Sequence, residues 1–128
     1  ADDTPKSPLF SLEERVSLIE KDVAEFSKDF TAKFVVEGFS GLLINFAVKK
    51  QAKFIVRGLR AVSDFEYEFQ LAAMNSQLDS AIQTIFIPAS EHRHFIASNL
   101  VREVARLGGD ISKFLSKTTS EALMAKFL

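Results

Sequence analysis

The sequence has 128 residues, 47% of them hydrophobic, and a formal net charge of −1. That length and apolar content suit one folded domain spanning residues 1–128 and exclude a disordered chain. Near-neutral charge argues against a generic nucleic-acid binder, and the absence of cysteine excludes disulfides, thiol nucleophiles and Cys-based zinc sites, which suits a reducing cytoplasm.

In chain order, residues 1–10 read as a polar loop with two prolines, Pro5 and Pro8, around Lys6. Ser11 with Glu14 fits a capping box, and Leu12, Val16, Ile19, Val23 and Phe26 recur at helical spacing. Phe34-Val35-Val36 reads as a strand ended by Gly38. A helix is expected from Ser40 to Lys50, with Leu43, Phe46 and Ala47 inward. The apolar run from Leu42 to Val48 is far too short to span a bilayer. A second strand is expected from Lys53 to Arg57, breaking at Gly58, and then a helix from Asp64 to Leu78 capped by Ser63-Asp64. That helix presents Phe65, Phe69, Ala72 and Ala73 on one face. Thr84 to Ile87 is a third strand, stopped by Pro88. The loop Ala89–His94 leads to Phe95-Ile96 and a helix from Ser98 to Leu107, closed by Gly108-Gly109. A last helix is expected from Ser120 to Phe127. The thirteen phenylalanines, with no tryptophan, read as core filler.

Strands alternating with helices imply βαβ units and a doubly wound parallel sheet with helices on both faces. The runs are continuously apolar, as expected of strands covered on both sides. In such sheets ligands bind beyond the carboxyl ends of the strands. There the sequence places Arg57, Gly58, Leu59 and Arg60, followed by a helix start: two guanidinium groups suited to a phosphate, or simply two solvated arginines. His92-x-His94 lacks a third histidine or a cysteine and reads as a solvated loop, so no metal is expected there.

The string Arg57-Gly58-Leu59-Arg60-Ala61-Val62-Ser63-Asp64-Phe65-Glu66-Tyr67-Glu68 closely resembles the signature of bacterial phosphopantetheine adenylyltransferases. Ser11–Val16, Gly38–Leu43, Leu100–Arg106 and Ala122–Lys126 extend the resemblance nearly end to end and in order. It implies a Rossmann-like nucleotidyltransferase that moves AMP from ATP to phosphopantetheine, giving dephospho-coenzyme A and pyrophosphate in coenzyme A synthesis. By resemblance, Lys6 contacts the phosphate-transfer site, Leu43 lines the pantetheine pocket, and Arg57 binds the phosphopantetheine phosphate. Gly58, Leu59 and Arg60 would hold ATP phosphates, Glu68 would contact the nucleotide, and Arg93, His94, Phe95, Ile96, Ala97, Ser98 and Asn99 would close over adenosine and phosphates. Ala97 and Asn99 stand where the family usually has serines.

Mg²⁺ with ATP, coenzyme A as a product-like ligand, and a cytoplasmic hexamer are likewise implied. The family's Gly-x-Phe-Asp-Pro-x-x-x-Gly-His segment has no counterpart here. The expectation is therefore that the first βα portion, with its catalytic His, lies upstream, and that Lys6, Arg57 and Arg60 supply charge stabilisation. A nicotinate-type mononucleotide adenylyltransferase and a non-catalytic binding or assembly module are the alternatives.

Overall fold

The computed structural model describes residues 1–2 and 8–127. Helix α1 spans Leu12–Phe26 and runs into a 3₁₀ turn at Ser27–Asp29; α2 (Leu43–Lys49), β1 (Phe54–Leu59), α3 (Val62–Leu78), β2 (Gln83–Pro88), α4 (Ser98–Arg106) and α5 (Lys117–Ala125) follow. The chain divides into two compact units, one made of Ala1–Ser40 with Ile96–Leu128 and the other of Gly41–Phe95.

The sheet unit is a βαβ arrangement. Strands β1 and β2 pair in parallel, from Phe54 opposite Gln83 to Leu59 opposite Pro88. The parallel pairing requires a crossover, and α3 supplies it. Gly58 does not break β1 as expected: it pairs with Ile87 in a ladder that continues to Leu59. Its φ is not in the left-handed region, so it sits in the strand without any turn. Ile44, Ala47, Ile55 and Ile82 form the core, with Leu43 and Ala52 packed against it. Ile44, at 1% exposure, is its most buried member, although Leu43 and Phe46 were the expected inward residues beside Ala47. Phe54, Val56, Ile85 and Ile87, on the opposite pleat, are exposed.

The helical unit is built from α1, α4 and α5. The expected capping box forms: the Ser11 hydroxyl accepts the Glu14 N–H, and Glu14 accepts the Ser11 N–H. The apolar stripe of α1 is real in spacing, but none of its residues is buried; Ile19 and Phe26 are exposed. Val101, Ala105, Ile111 and Leu123 make this unit's core, flanked by Phe10, Ile96 and Phe114. Helix α4 ends as read: Gly108 takes φ +78°, and the Gly109 N–H reaches back to the Val104 carbonyl at 2.9 Å. Helix α5 begins earlier than expected, capped by the Ser116 hydroxyl, which accepts the Thr119 N–H. The Asp22 carboxylate accepts from both Ser116 and Thr119 at 2.8 and 3.3 Å, fixing that cap to α1.

Phe34-Val35-Val36 is not a strand. Apolar side chains alone do not make one, because a strand needs a neighbouring backbone for its hydrogen bonds. Phe34 instead completes an edge-to-face cluster with Phe26 and Phe30, with ring centroids 5.1 and 6.2 Å from its own. The described sheet thus has two strands where three were expected.

Candidate functional site

The alternation of β1 turns Ile55, Arg57 and Leu59 toward one pleat, which is the more covered one. Arg57 stands opposite Phe86 in the ladder. Helix α3 covers this pleat, with the Phe65 ring 6.0 Å from that of Phe86, edge to face. One turn further on, Glu68 lies on the same stripe of α3 as Phe65 and so faces Arg57. The result is a two-pronged ion pair: Arg57 Nε donates to Glu68 Oε2 at 2.7 Å, and Nη2 donates to Oε1 at 2.6 Å. The arginine side chain is 41% exposed and the carboxylate only 13%.

This fork lowers the Glu68 pKa below the usual carboxylate range, chiefly through the hydrogen bonds from Arg57, against the opposing effect of burial. The same hydrogen bonds raise the pKa of the Arg57 guanidinium. Both groups are therefore held charged. The pair uses the Nε–Nη2 side of the guanidinium and leaves Nη1 outside the pair.

Three residues on, Arg60 Nε donates to Asp64 Oδ2 at 3.2 Å across one helical turn. Helix α3 starts earlier than the reading, so Asp64 lies inside its first turn. Its N-cap is Ala61, which makes no side-chain cap bond, and the acid expected to cap the helix is turned toward Arg60. The carboxyl ends of both strands lie together, tied by the Ala89 N–H donating to the Leu59 carbonyl at 2.7 Å. Arg57, Gly58, Leu59 and Arg60 thus do end one edge, and the loop starting at Ala89 leaves from the same edge.

The remaining predicted site residues are distributed. Lys6 lies outside the described residues. Leu43 opens α2 and packs on the sheet-unit core. In the sheet unit, the Arg93 N–H donates to the Ser90 carbonyl, and the His94 and Phe95 rings meet edge to face. In the helical unit, Ile96 packs on the core, Ala97 is the N-cap of α4, and Ser98 and Asn99 begin that helix. Ile96 and Ser98 also line an apolar cavity of about 540 Å³ with Phe10, Val101, Arg102 and Leu123. Arg102 had not been singled out; it lies four residues after Ser98, and i,i+4 spacing on a helix was the available signal. Among the described residues no three acids or histidines come together as a metal site. No described helix is long and apolar enough to cross a membrane.

A parallel βαβ unit with an arginine at the carboxyl end of its first strand, and a second just beyond it, defines an α/β domain of Rossmann type, the class that includes nucleotidyltransferases. The sequence profile of the cytidylyltransferase-like family matches residues 1–104. The phosphopantetheine adenylyltransferase of Caulobacter vibrioides is 52% identical over 121 residues, covering 94% of this chain and 73% of that protein. Those of Paracoccus denitrificans and Ruegeria pomeroyi are 49% and 51% identical, over 95% and 92% of this chain and 74% and 72% of their own lengths. The chain belongs to the cytidylyltransferase-like family and, within it, to the phosphopantetheine adenylyltransferases.

Proposed function

We propose that this chain serves adenylyl transfer from ATP to phosphopantetheine, the reaction that yields dephospho-coenzyme A and pyrophosphate. The observation that carries this reading is identity at about half of the aligned positions, over 94% of this chain and 73% of the relative's length, to an enzyme bearing that name. Supporting it is the matching Arg57–Arg60 string at the carboxyl edge of β1. A phosphate oxygen of phosphopantetheine attacks the α-phosphorus of ATP in line. A new oxygen–phosphorus bond forms as the bond to the β-phosphate oxygen breaks, and pyrophosphate leaves with the electron pair. No covalent enzyme intermediate is needed.

The protein's work in this reading is positioning and cationic stabilisation of charge on the phosphoryl oxygens. Arg57 binds the phosphopantetheine phosphate. Gly58 to Arg60 and the Arg93–Asn99 segment hold ATP, and Lys6 adds charge at the transferring group. Leu43 lines the wall for the pantetheine arm. In this reading Mg²⁺ arrives with ATP, as part of the substrate. A homo-oligomeric protein of the cytoplasm, forming one nucleotidyltransferase domain, completes the proposal.

The experiment gives the full-length protein ATP with phosphopantetheine or with nicotinate mononucleotide, and follows pyrophosphate and the adenylylated product. Dephospho-coenzyme A from the first substrate alone is expected. Product only from the mononucleotide, or coenzyme A binding without turnover of either substrate, would overturn the reading.

A further inference from the structure

Glu68 is the acid whose role the geometry redraws. By resemblance it is a nucleotide contact. In the structure both of its oxygens are engaged by one guanidinium, and its side chain is 13% exposed. A carboxylate so covered and so occupied presents little of itself to a ligand arriving from solvent. Its partner presents much more, with Arg57 exposed at 41% and its Nη1 end outside the pair.

We propose that Glu68 is a positioning residue that acts through Arg57, gripping the guanidinium from the side so that its free end meets the phosphate of phosphopantetheine. This inference rests on the reading of Arg57 as the phosphate-binding group. An unrestrained arginine spreads over many rotamers and loses that freedom on binding. A guanidinium held by two parallel bonds from helix α3 has lost it beforehand, and the two bonds also fix the plane of the fork. The grip depends on the fold and not on adjacency in sequence. Phe65 seats α3 against Phe86, Phe86 is the ladder neighbour of Arg57, and Glu68 follows Phe65 by one turn. The second pair at this edge joins Arg60 Nε to Asp64 Oδ2 at 3.2 Å, four positions apart in sequence, a longer contact than either bond of the fork.

The test compares Arg57→Ala, Glu68→Gln and the double variant in the full-length protein, using calorimetric titration with phosphopantetheine and, separately, with ATP. The KM for each substrate is measured beside the binding constants. Glu68→Gln keeps the shape but puts an amide N–H toward a guanidinium N–H. It should weaken phosphopantetheine binding and raise its KM about tenfold or more, leaving ATP unchanged. The double variant should be no weaker than Arg57→Ala alone, because a positioning residue has nothing left to position. Glu68→Asp, one methylene shorter, should show the same selective loss in smaller degree, and melting curves establish that each variant is folded.

A Glu68→Gln protein that loses ATP affinity and keeps phosphopantetheine affinity would overturn the proposal in favour of direct nucleotide contact. Additive losses in the double variant would overturn it too. If Arg57→Ala itself leaves phosphopantetheine binding intact, the assignment of Arg57 fails, and the proposal fails with it. A strong Arg57→Ala effect with an inert Glu68→Gln instead removes only the proposal.

Discussion

The two compact units hold themselves together by different means. In the helical unit the polar ties are caps and surface links: the Ser11–Glu14 box, the Ser116 cap fixed by Asp22, and a Lys126–Glu14 ion pair at 2.7 Å. In the sheet unit the main polar tie is the Arg57–Glu68 fork, and it stands where a phosphate ligand is expected. Caps satisfy backbone groups that folding would otherwise leave unpaired. The fork satisfies no backbone group; it orders a charged side chain. One unit's polar chemistry serves architecture; the other's, in the proposed reading, serves a site.

The first way to break that comparison is through the cores. Ile44→Ala and Leu123→Ala each delete a side chain almost wholly buried in its own unit's cluster. Each should cost about 2–5 kcal/mol. Hydrogen exchange should speed most in β1, β2 and α2 for the first variant, and in α4 and α5 for the second. Uniform acceleration in both would show that the two clusters behave as one.

Next in size is the site. Arg57→Ala should lower the rate on the order of a hundredfold, seen mainly in use of phosphopantetheine, and Arg60→Ala should act mainly on ATP. Steady-state kinetics with each substrate varied in turn reads both. Near-normal values for both variants would make these plain surface arginines.

The caps come third. Ser11→Ala and Ser116→Ala should each lower stability by about 1 kcal/mol, readable by denaturant titration, with kinetics unchanged. If either altered substrate affinity, the division between architecture and site would fail.

The smallest effect concerns pH and sharpens the contrast. Glu68 has its pKa lowered in the folded protein by the hydrogen bonds from Arg57. A lowered carboxylate pKa means that the fork stabilises the fold above the ordinary carboxylate range. That contribution is lost as pH falls through the lowered folded value. The melting temperatures of wild type and Glu68→Gln should therefore differ near neutrality and converge in acid. Glu14 behaves with the same sign, its carboxyl lowered first by the bond from Lys126 and then by the Ser11 backbone. Being at the surface, its link should respond to added salt, whereas the fork should respond less.

How much of this could be read in the sequence follows from the range of each interaction. The Ser11–Glu14 capping box, the glycine stop after α4 and the parallel pairing of two strands were legible because spacing along the chain specifies them. The strand expected at Phe34–Val36 failed because apolarity cannot state whether a partner backbone is present; Phe34 packs into a cluster of three rings instead. Gly58 looked like a break because glycine usually marks turns, yet the ladder ran through it. At the site, the residue string told which side chains stand at the strand edge. It did not tell that Glu68 meets Arg57, because eleven positions separate them and only the seating of α3 on β2 closes the gap. The Arg60–Asp64 pair was within reach of helical spacing, and the acid's role as cap was the competing reading that lost.

The placement of one side chain on α3 has an optical consequence. Tyr67 directly precedes Glu68, and these 128 residues hold no other tyrosine and no tryptophan. Tyrosine emission of this stretch, excited at wavelengths that phenylalanine does not absorb, therefore originates from a single exposed ring, one residue from the carboxylate that pairs with Arg57. If this edge takes a phosphate, its filling should be visible as a change in tyrosine emission, with no label introduced.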